Sequence, residues 1–332
     1  MQVSLKFTKF ISTIFLLLFL VACGKAASSN SNAPSTTNSG RNLKFYVVTQ
    51  GQASEQFWSV LKRGADQAAK DMGVQVVYEA PPTFDLVALS KLIDAAVAAH
   101  ADGLVVSIPD PNALKNSIKR AVAAGIPVIS INSGADVAKS LGVLTYVGQT
   151  EYQAGFSGGQ KMATLGVKHA LCVIHDIGNT DQSLRCQGFK DAMKAGKARV
   201  DQVAVDANNP TQIQQSMEAK LQQDSSIDGV LTLGSKTATP ALKALQDANK
   251  TGQVKLATFD LSSDILQAIK SERILFAIDQ QQYLQGYLPI VLLTLYKTNL
   301  NTIANDTLTT GPNFVTKDNV DKVIALTEQG TR

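Results

Sequence analysis

The 332-residue chain has little of what reactive chemistry needs. It holds three cysteines, three histidines and one tryptophan. With two cysteines in the folded part and only three histidines in the chain, metal binding is the weaker reading, and no metal site is expected. The turn after the first apolar run, TQGQASEQ at 49–56, lacks the glycines that cradle a dinucleotide, and no cofactor is expected. The one G-x-S-x-G match, GFSGG at 155–159, falls inside the helix expected over 153–165 and not at a strand-to-helix turn, so it is no nucleophile elbow, and an enzyme is not the reading. Charge of one sign is also scarce. The formal +4 falls to +2 once Lys6 and Lys9 are set aside, too little for a nucleic-acid partner. Long hydrophobic runs are missing too: Ile11 to Val21 is too short to span a bilayer.

That run fits an export signal, with Lys6 and Lys9 ahead of it, so residues 1–22 are read as a leader outside the fold. Its end, Leu20-Val21-Ala22-Cys23-Gly24, resembles the lipobox of bacterial lipoproteins. The resemblance implies cleavage before Cys23 and a lipid on its sulfur; an ordinary signal peptide with an incidental cysteine is the alternative. Residues 23–42, rich in Ser and Asn, read as a flexible tether. About 290 residues remain, more than one compact core and suited to two lobes. For an exported chain, a bridge between Cys172 and Cys186 is one reading, and metal binding by the pair is the other.

What the chain does have is a repeated strand–helix grammar. Leu43 to Val48 is an apolar run of buried-strand type, and Phe57, Trp58, Leu61, Ala65 and Ala68 then recur at helical spacing. Two adjacent aromatics at a strand-to-helix junction are unusual, and in open α/β sheets that junction is where ligands bind. Neighbouring helix positions point about 100° apart, so at most one of the pair is expected squarely in the core. The same alternation continues, with helices expected over 84–99, 112–124, 153–165, 185–194, 210–222, 240–249, 263–272 and 283–296. The fold class is therefore α/β: two similar units in tandem, each a parallel sheet wrapped by helices.

The order and spacing of several pieces carry a resemblance. They are Phe57-Trp58 with Gly64-Ala65, ADGLVVSIPDP, AAGIPVISINSG, Arg185-xx-Gly188-Phe189, DGVLTL, the strand 256–260 and Ala277-Ile278-Asp279-Gln280. Together they resemble the periplasmic binding proteins of the ribose/galactose type, receptors for ABC sugar importers, over about residues 43–326. The resemblance implies two Rossmann-like lobes, 43–147 with 281–303 and 148–280 with 304–326, joined by three crossings and closing on a ligand. It places Phe57 and Trp58 on a sugar face, Arg185 on ring or hydroxyl oxygens, Asp260 as hydroxyl acceptor and Gln280 at the hinge.

Departures from the ribose pattern are Asn132-Ser133 for Asp-Arg, Gly234-Ser235 for Asn-Asp, and Asn208-Asn209 for a third aromatic. The cavity is thus expected to lose a cation, an anion and an aromatic plate, which implies another pentose or hexose, a polyol or an inositol. Asn132, Asn208, His175 and Glu55 complete the candidate ligand set. Plainer roles stand beside these. Asp260 could cap a helix, Arg185 could pair with an acid on its own helix, and Glu55 suits a helix start. His175 could be a structural histidine, and Gln280 is one of three successive glutamines. Asp110, between two prolines, reads as turn chemistry.

The function implied is a lipid-anchored, monomeric solute receptor on the outer face of the cytoplasmic membrane that hands a sugar or polyol to an ABC permease. The alternatives are a sensory protein presenting its ligand to a membrane receptor, or a receptor for a non-sugar molecule such as a nucleoside.

Overall fold

The structure, a computed structural model, describes residues 41–51 and 55–332. The expected leader 1–22, Cys23 and the tether as far as residue 40 lie outside the described residues.

Lys44–Val48 forms β1, a strand buried on both faces: Phe45 and Val47 enter one core and Val48 the other. Helix α1 (Gln56–Met72) follows and stops at Gly73, which adopts the left-handed conformation of a C-terminal cap. Next come β2 (Gln75–Glu79), α2 (Leu86–Ala98), β3 (Gly103–Val106), α3 (Pro111–Ala123), β4 (Val128–Ile131) and β5 (Tyr146–Gly148). Asp110 is more than a turn residue: its carboxylate accepts from the amides of Asn112 and Ala113 and caps α3, with Pro111 in the first helical turn.

The grammar then restarts with α4 (Glu151–Thr164), β6 (His169–Ile174), α5 (Thr180–Ala195), β7 (Arg199–Ala204), α6 (Pro210–Gln223) and β8 (Gly229–Thr232). It continues through α7 (Ser235–Asp247), β9 (Lys255–Phe259), α8 (Ser263–Lys270) and β10 (Phe276–Asp279). Helix α9 (Gln282–Asn299) returns to lie along α1, and β11 (Thr307–Thr309), β12 (Asn313–Thr316) and α10 (Val320–Glu328) complete the described chain. Among the described residues no helix is long and apolar enough to cross a membrane.

The strands form two six-stranded sheets, ordered β11-β5-β4-β3-β1-β2 and β12-β10-β9-β8-β6-β7. All pairs are parallel except β10 with β12. Each sheet is covered on both faces, giving two α/β lobes with a core on either side of each sheet. Two helix pairs pack backbone to backbone. A Cβ on Gly286 would come within 1.9 Å of the Leu61 carbonyl, which fixes α9 on α1, and one on Gly155 within 2.0 Å of the Arg185 carbonyl, which fixes α4 on α5.

Three details depart from the sequence reading. Thr307–Thr309 hydrogen-bonds to Tyr146–Gly148 in the first sheet, so the third crossing falls at 310–312 and residues 304–309 do not belong with the second lobe. A short Thr-Leu-Thr strand suits either sheet edge, and only the backbone ladder decides. Helix α5 begins at Thr180 instead of Arg185, because the Asn179 side chain caps it by accepting from the Asp181 amide at 3.0 Å. Helix α7 begins at Ser235, with Pro240 inside it: Pro240 gives up its own hydrogen bond while Gly234 carbonyl takes the amides of Thr237 and Ala238. The cysteines are bridged, Cys172 of β6 to Cys186 of α5, with Cα atoms 5.8 Å apart.

Candidate functional site

Both sheets point their carboxyl ends at a cavity of about 310 Å³ between the lobes, where an open α/β sheet is expected to bind. All nine candidate residues, Glu55, Phe57, Trp58, Asn132, His175, Arg185, Asn208, Asp260 and Gln280, line it.

The apolar wall comes from the start of α1. Phe57 and Trp58 meet edge to face, with centroids 4.9 Å apart and planes at 76°. Both are buried, each with core on one side and the cavity on the other. The indole is pressed against the preceding turn: a Cβ on Gly51 would fall 1.8 Å from Trp58 Nε1, so only glycine leaves the ring in place. The expected loss of a third aromatic is also corrected. Asn208 does sit exposed at the rim, but Phe84, just before α2, lines the cavity instead.

The polar wall is built at strand ends. Asn132 follows β4 and Asp260 follows β9, and both hold left-handed backbone, φ 60° and 65°. Asn and Asp tolerate that region better than most residues, yet it still costs about 1 kcal/mol, and such strain gathers where side chains must be aimed. Between them lies Gln280: its amide nitrogen donates to Asp260 Oδ1 at 2.6 Å and its carbonyl accepts from Asn132 Nδ2 at 3.3 Å. Asn132 Oδ1 in turn accepts from Gln50 at 3.3 Å. One glutamine at the second crossing thus joins the ligand-facing ends of the two lobes. Gln281 turns away, donating to the Thr310 carbonyl at 2.6 Å, which settles which of the three faces the cavity. Asp260 does not cap α8; Ser262 does, accepting from the Ile265 amide.

Arg185 is buried and held on three sides. Its Nε donates to Glu151, an acid on α4 and not on its own helix, and its Nη1 donates to the Leu233 carbonyl at 3.2 Å. Its guanidinium lies 4.5 Å over the Phe259 ring. Asp181, in the first turn of α5, lines the cavity, and its Oδ2 has no partner among the described residues. Burial pushes the Glu151 carboxyl up and the Asp181 carboxyl well up, and raises Asp260 to about 7, with Arg185 pulling each the other way.

His175 ends just past β6. Gln182 accepts from the amides of His175 and Asp176 at 2.8 and 3.2 Å, so its nitrogen is the atom 3.1 Å from His175 Nε2. That ring nitrogen therefore accepts, the proton sits on Nδ1, and burial holds the imidazole below its ordinary value and neutral. Glu55 meets Lys236 of the other lobe, Oε1 to Nζ 3.0 Å. Among the described residues no cluster suits a metal ion.

The periplasmic binding protein domain matches residues 45–299. The chain belongs to that family. This periplasmic binding protein is similar to a carbohydrate transporter of Acidothermus cellulolyticus solved in complex with myo-inositol, at 38% identity and TM-score 0.83, covering 88% of this chain and 100% of that one. It is also 26% identical over 253 residues to a xylose/arabinose-binding protein of Sulfolobus acidocaldarius, covering 72% of this chain and 62% of the relative. A D-ribose/D-allose-binding protein of Pseudomonas aeruginosa is 28% identical over 199 residues, 57% of this chain and 61% of the relative. The chain thus spans about three-fifths of the length of these two curated relatives. The family's members are substrate-binding proteins and not enzymes.

Several lining residues of this periplasmic binding protein escaped the sequence reading: Asp181, Gln182, Phe84 and Lys236, with Glu151 behind Arg185. Starting α5 at Asn179, a standard cap residue, would have exposed the first two.

Proposed function

We propose that this protein captures a cyclic polyol of the inositol or monosaccharide class by closing its two lobes, and delivers it to an ABC importer permease. The observation that carries the reading is the division of one cavity into an aromatic wall, Phe57, Trp58 and Phe84, and a wall of planar two-atom polar groups, Asn132, Arg185, Asp260 and Gln280. A ring of vicinal hydroxyls has an apolar face for the first and paired donors and acceptors for the second. A wrong epimer leaves buried donors unpaired, which supplies discrimination. Myo-inositol, the ligand of the Acidothermus relative, is the first compound to test. In this reading Cys23 carries a lipid that holds the receptor, as a monomer, at the outer face of the cytoplasmic membrane.

The test is a titration with inositols, polyols and monosaccharides, reading Trp58 fluorescence and Tm together. A ligand of the closed form raises Tm by linkage and changes the indole signal. If no inositol, polyol or sugar moves either signal in folded protein, the reading is wrong, and nucleosides are tried next.

A further inference from the structure

Asp279, the last residue of β10, is fully buried beside the hinge. Its Oδ1 accepts from the Gln281 amide at 3.0 Å, and its Oδ2 meets, among the described residues, one cation, the guanidinium of Arg332. Arg332 Nη1 also donates to Gln281 Oε1 at 3.1 Å. One arginine beyond α10 therefore grips residues on both sides of Gln280. Those residues are stitched to the third crossing: Gln281 donates to the Thr310 carbonyl, while Thr310 Oγ1 and Gln285 Nε2 both donate to the Gln280 carbonyl, at 2.6 and 3.0 Å. Gln281 holds left-handed backbone, φ 54°, a conformation that persists only where surroundings enforce it.

We propose that Arg332 is a positioning residue of the binding site, neutralising Asp279 and fixing Gln281 so that the Gln280 side chain stays aimed between Asp260 and Asn132. This rests on the cavity being the ligand site. A buried carboxylate stripped of its cation is worse off than one replaced by a neutral isostere, because the uncompensated charge remains. The two partners therefore differ: losing Arg332 disturbs the hinge, whereas Asp279→Asn leaves an acceptor for the Gln281 amide and frees a partly exposed arginine to turn to solvent.

The experiment uses the purified protein in four forms: wild type, Arg332→Ala, Asp279→Asn and the double variant. In the absence of ligand, hydrogen exchange at the Gln281 amide is followed; with myo-inositol or the tightest-binding panel compound, Kd is measured. Arg332→Ala is expected to speed that exchange and weaken binding, each about tenfold, while the other two stay within about threefold of wild type. A merely structural arginine would not be rescued by Asp279→Asn, so failure of the double variant to recover overturns the proposal. Wild-type exchange and affinity in Arg332→Ala overturn it too. Should Arg332→Ala not fold, Asp279→Asn and Arg332→Gln decide: a loss of affinity in Asp279→Asn, or none in Arg332→Gln, which keeps the bulk of the side chain but not its charge, overturns it. If wild type binds no panel compound, the functional reading fails, while the ligand-free exchange still judges the hinge.

Discussion

Lys236 Nζ lies 3.0 Å from Glu55 Oε1, joining the first turn of α7 in one lobe to the residue before α1 in the other. The pair closes across the mouth of the cavity, beside the aromatic wall. It is partly exposed, at 42% and 31%, so its strength is that of a screened surface pair, about 0.2–1 kcal/mol. Glu55→Gln should weaken ligand binding by up to about fivefold at low salt. The loss should fade at high ionic strength, where wild type and variant converge. Calorimetric Kd values at two salt concentrations check this; a salt-independent loss would mean Glu55 touches the ligand itself.

Arg185 and Glu151 make the opposite kind of pair, buried and hydrogen-bonded. Arg185→Ala leaves the Glu151 carboxylate without its cation and removes a donor from the cavity, so binding should fall at least tenfold and Tm should drop. Glu151→Gln, which keeps an acceptor but no charge, should retain the fold and lose affinity by a smaller factor. Thermal melts and Kd values of both variants test the order.

Asp260 predicts a slope of stability against pH. Its folded value, about 7, lies above the ordinary 3.8, so between those limits the folded state holds a proton the unfolded chain has released. Its contribution is therefore fully present below about pH 4 and lost as pH rises through about 7. Glu151, Asp181 and Asp279 are raised as well and act in the same sense; His175, lowered by burial, acts against them. The clean comparison is Asp260→Asn, whose Tm should fall less than that of wild type between pH 4 and 7. Equal slopes would remove Asp260 as the source.

The Cys172–Cys186 bridge closes a short loop, 14 residues apart in sequence, and holds the strand end near His175 to the helix that carries Arg185. A loop of this size contributes about 3 kcal/mol by restricting the unfolded chain. Reduction, or Cys172→Ser with Cys186→Ser, should lower Tm by several degrees; Tm with and without dithiothreitol measures it.

Much of the site was legible because its residues sit where strand grammar ends. Asn132, Asp260 and Gln280 each follow a buried apolar run, and Phe57-Trp58 stands out as a pair. The residues missed are those whose importance lies in pairing across distance. Glu151 is an unremarkable acid until the Gly155 contact draws α4 onto α5 and sets it against Arg185. Phe84 reads as the start of a helix, and only the fold of 81–85 brings it to the cavity. The side of the cleft to which 307–309 belongs was illegible for a related reason: an edge strand of three residues carries almost no side-chain pattern, and its partner is chosen by backbone hydrogen bonds.

Thr180 gives both its amide and its hydroxyl to the Pro109 carbonyl across the cleft, each at 2.9 Å. Neither bond touches the cavity, so both survive whether or not anything is inside. If the lobes open and close as proposed, these bonds favour the shut shape even when the cavity is empty, and they set how many empty molecules hold it. A downstream partner that reads outline alone would be answered by these idle copies in proportion to their abundance. Telling a full cavity from an empty one then depends on how far a ligand would tip that balance, not on closure being reserved for it.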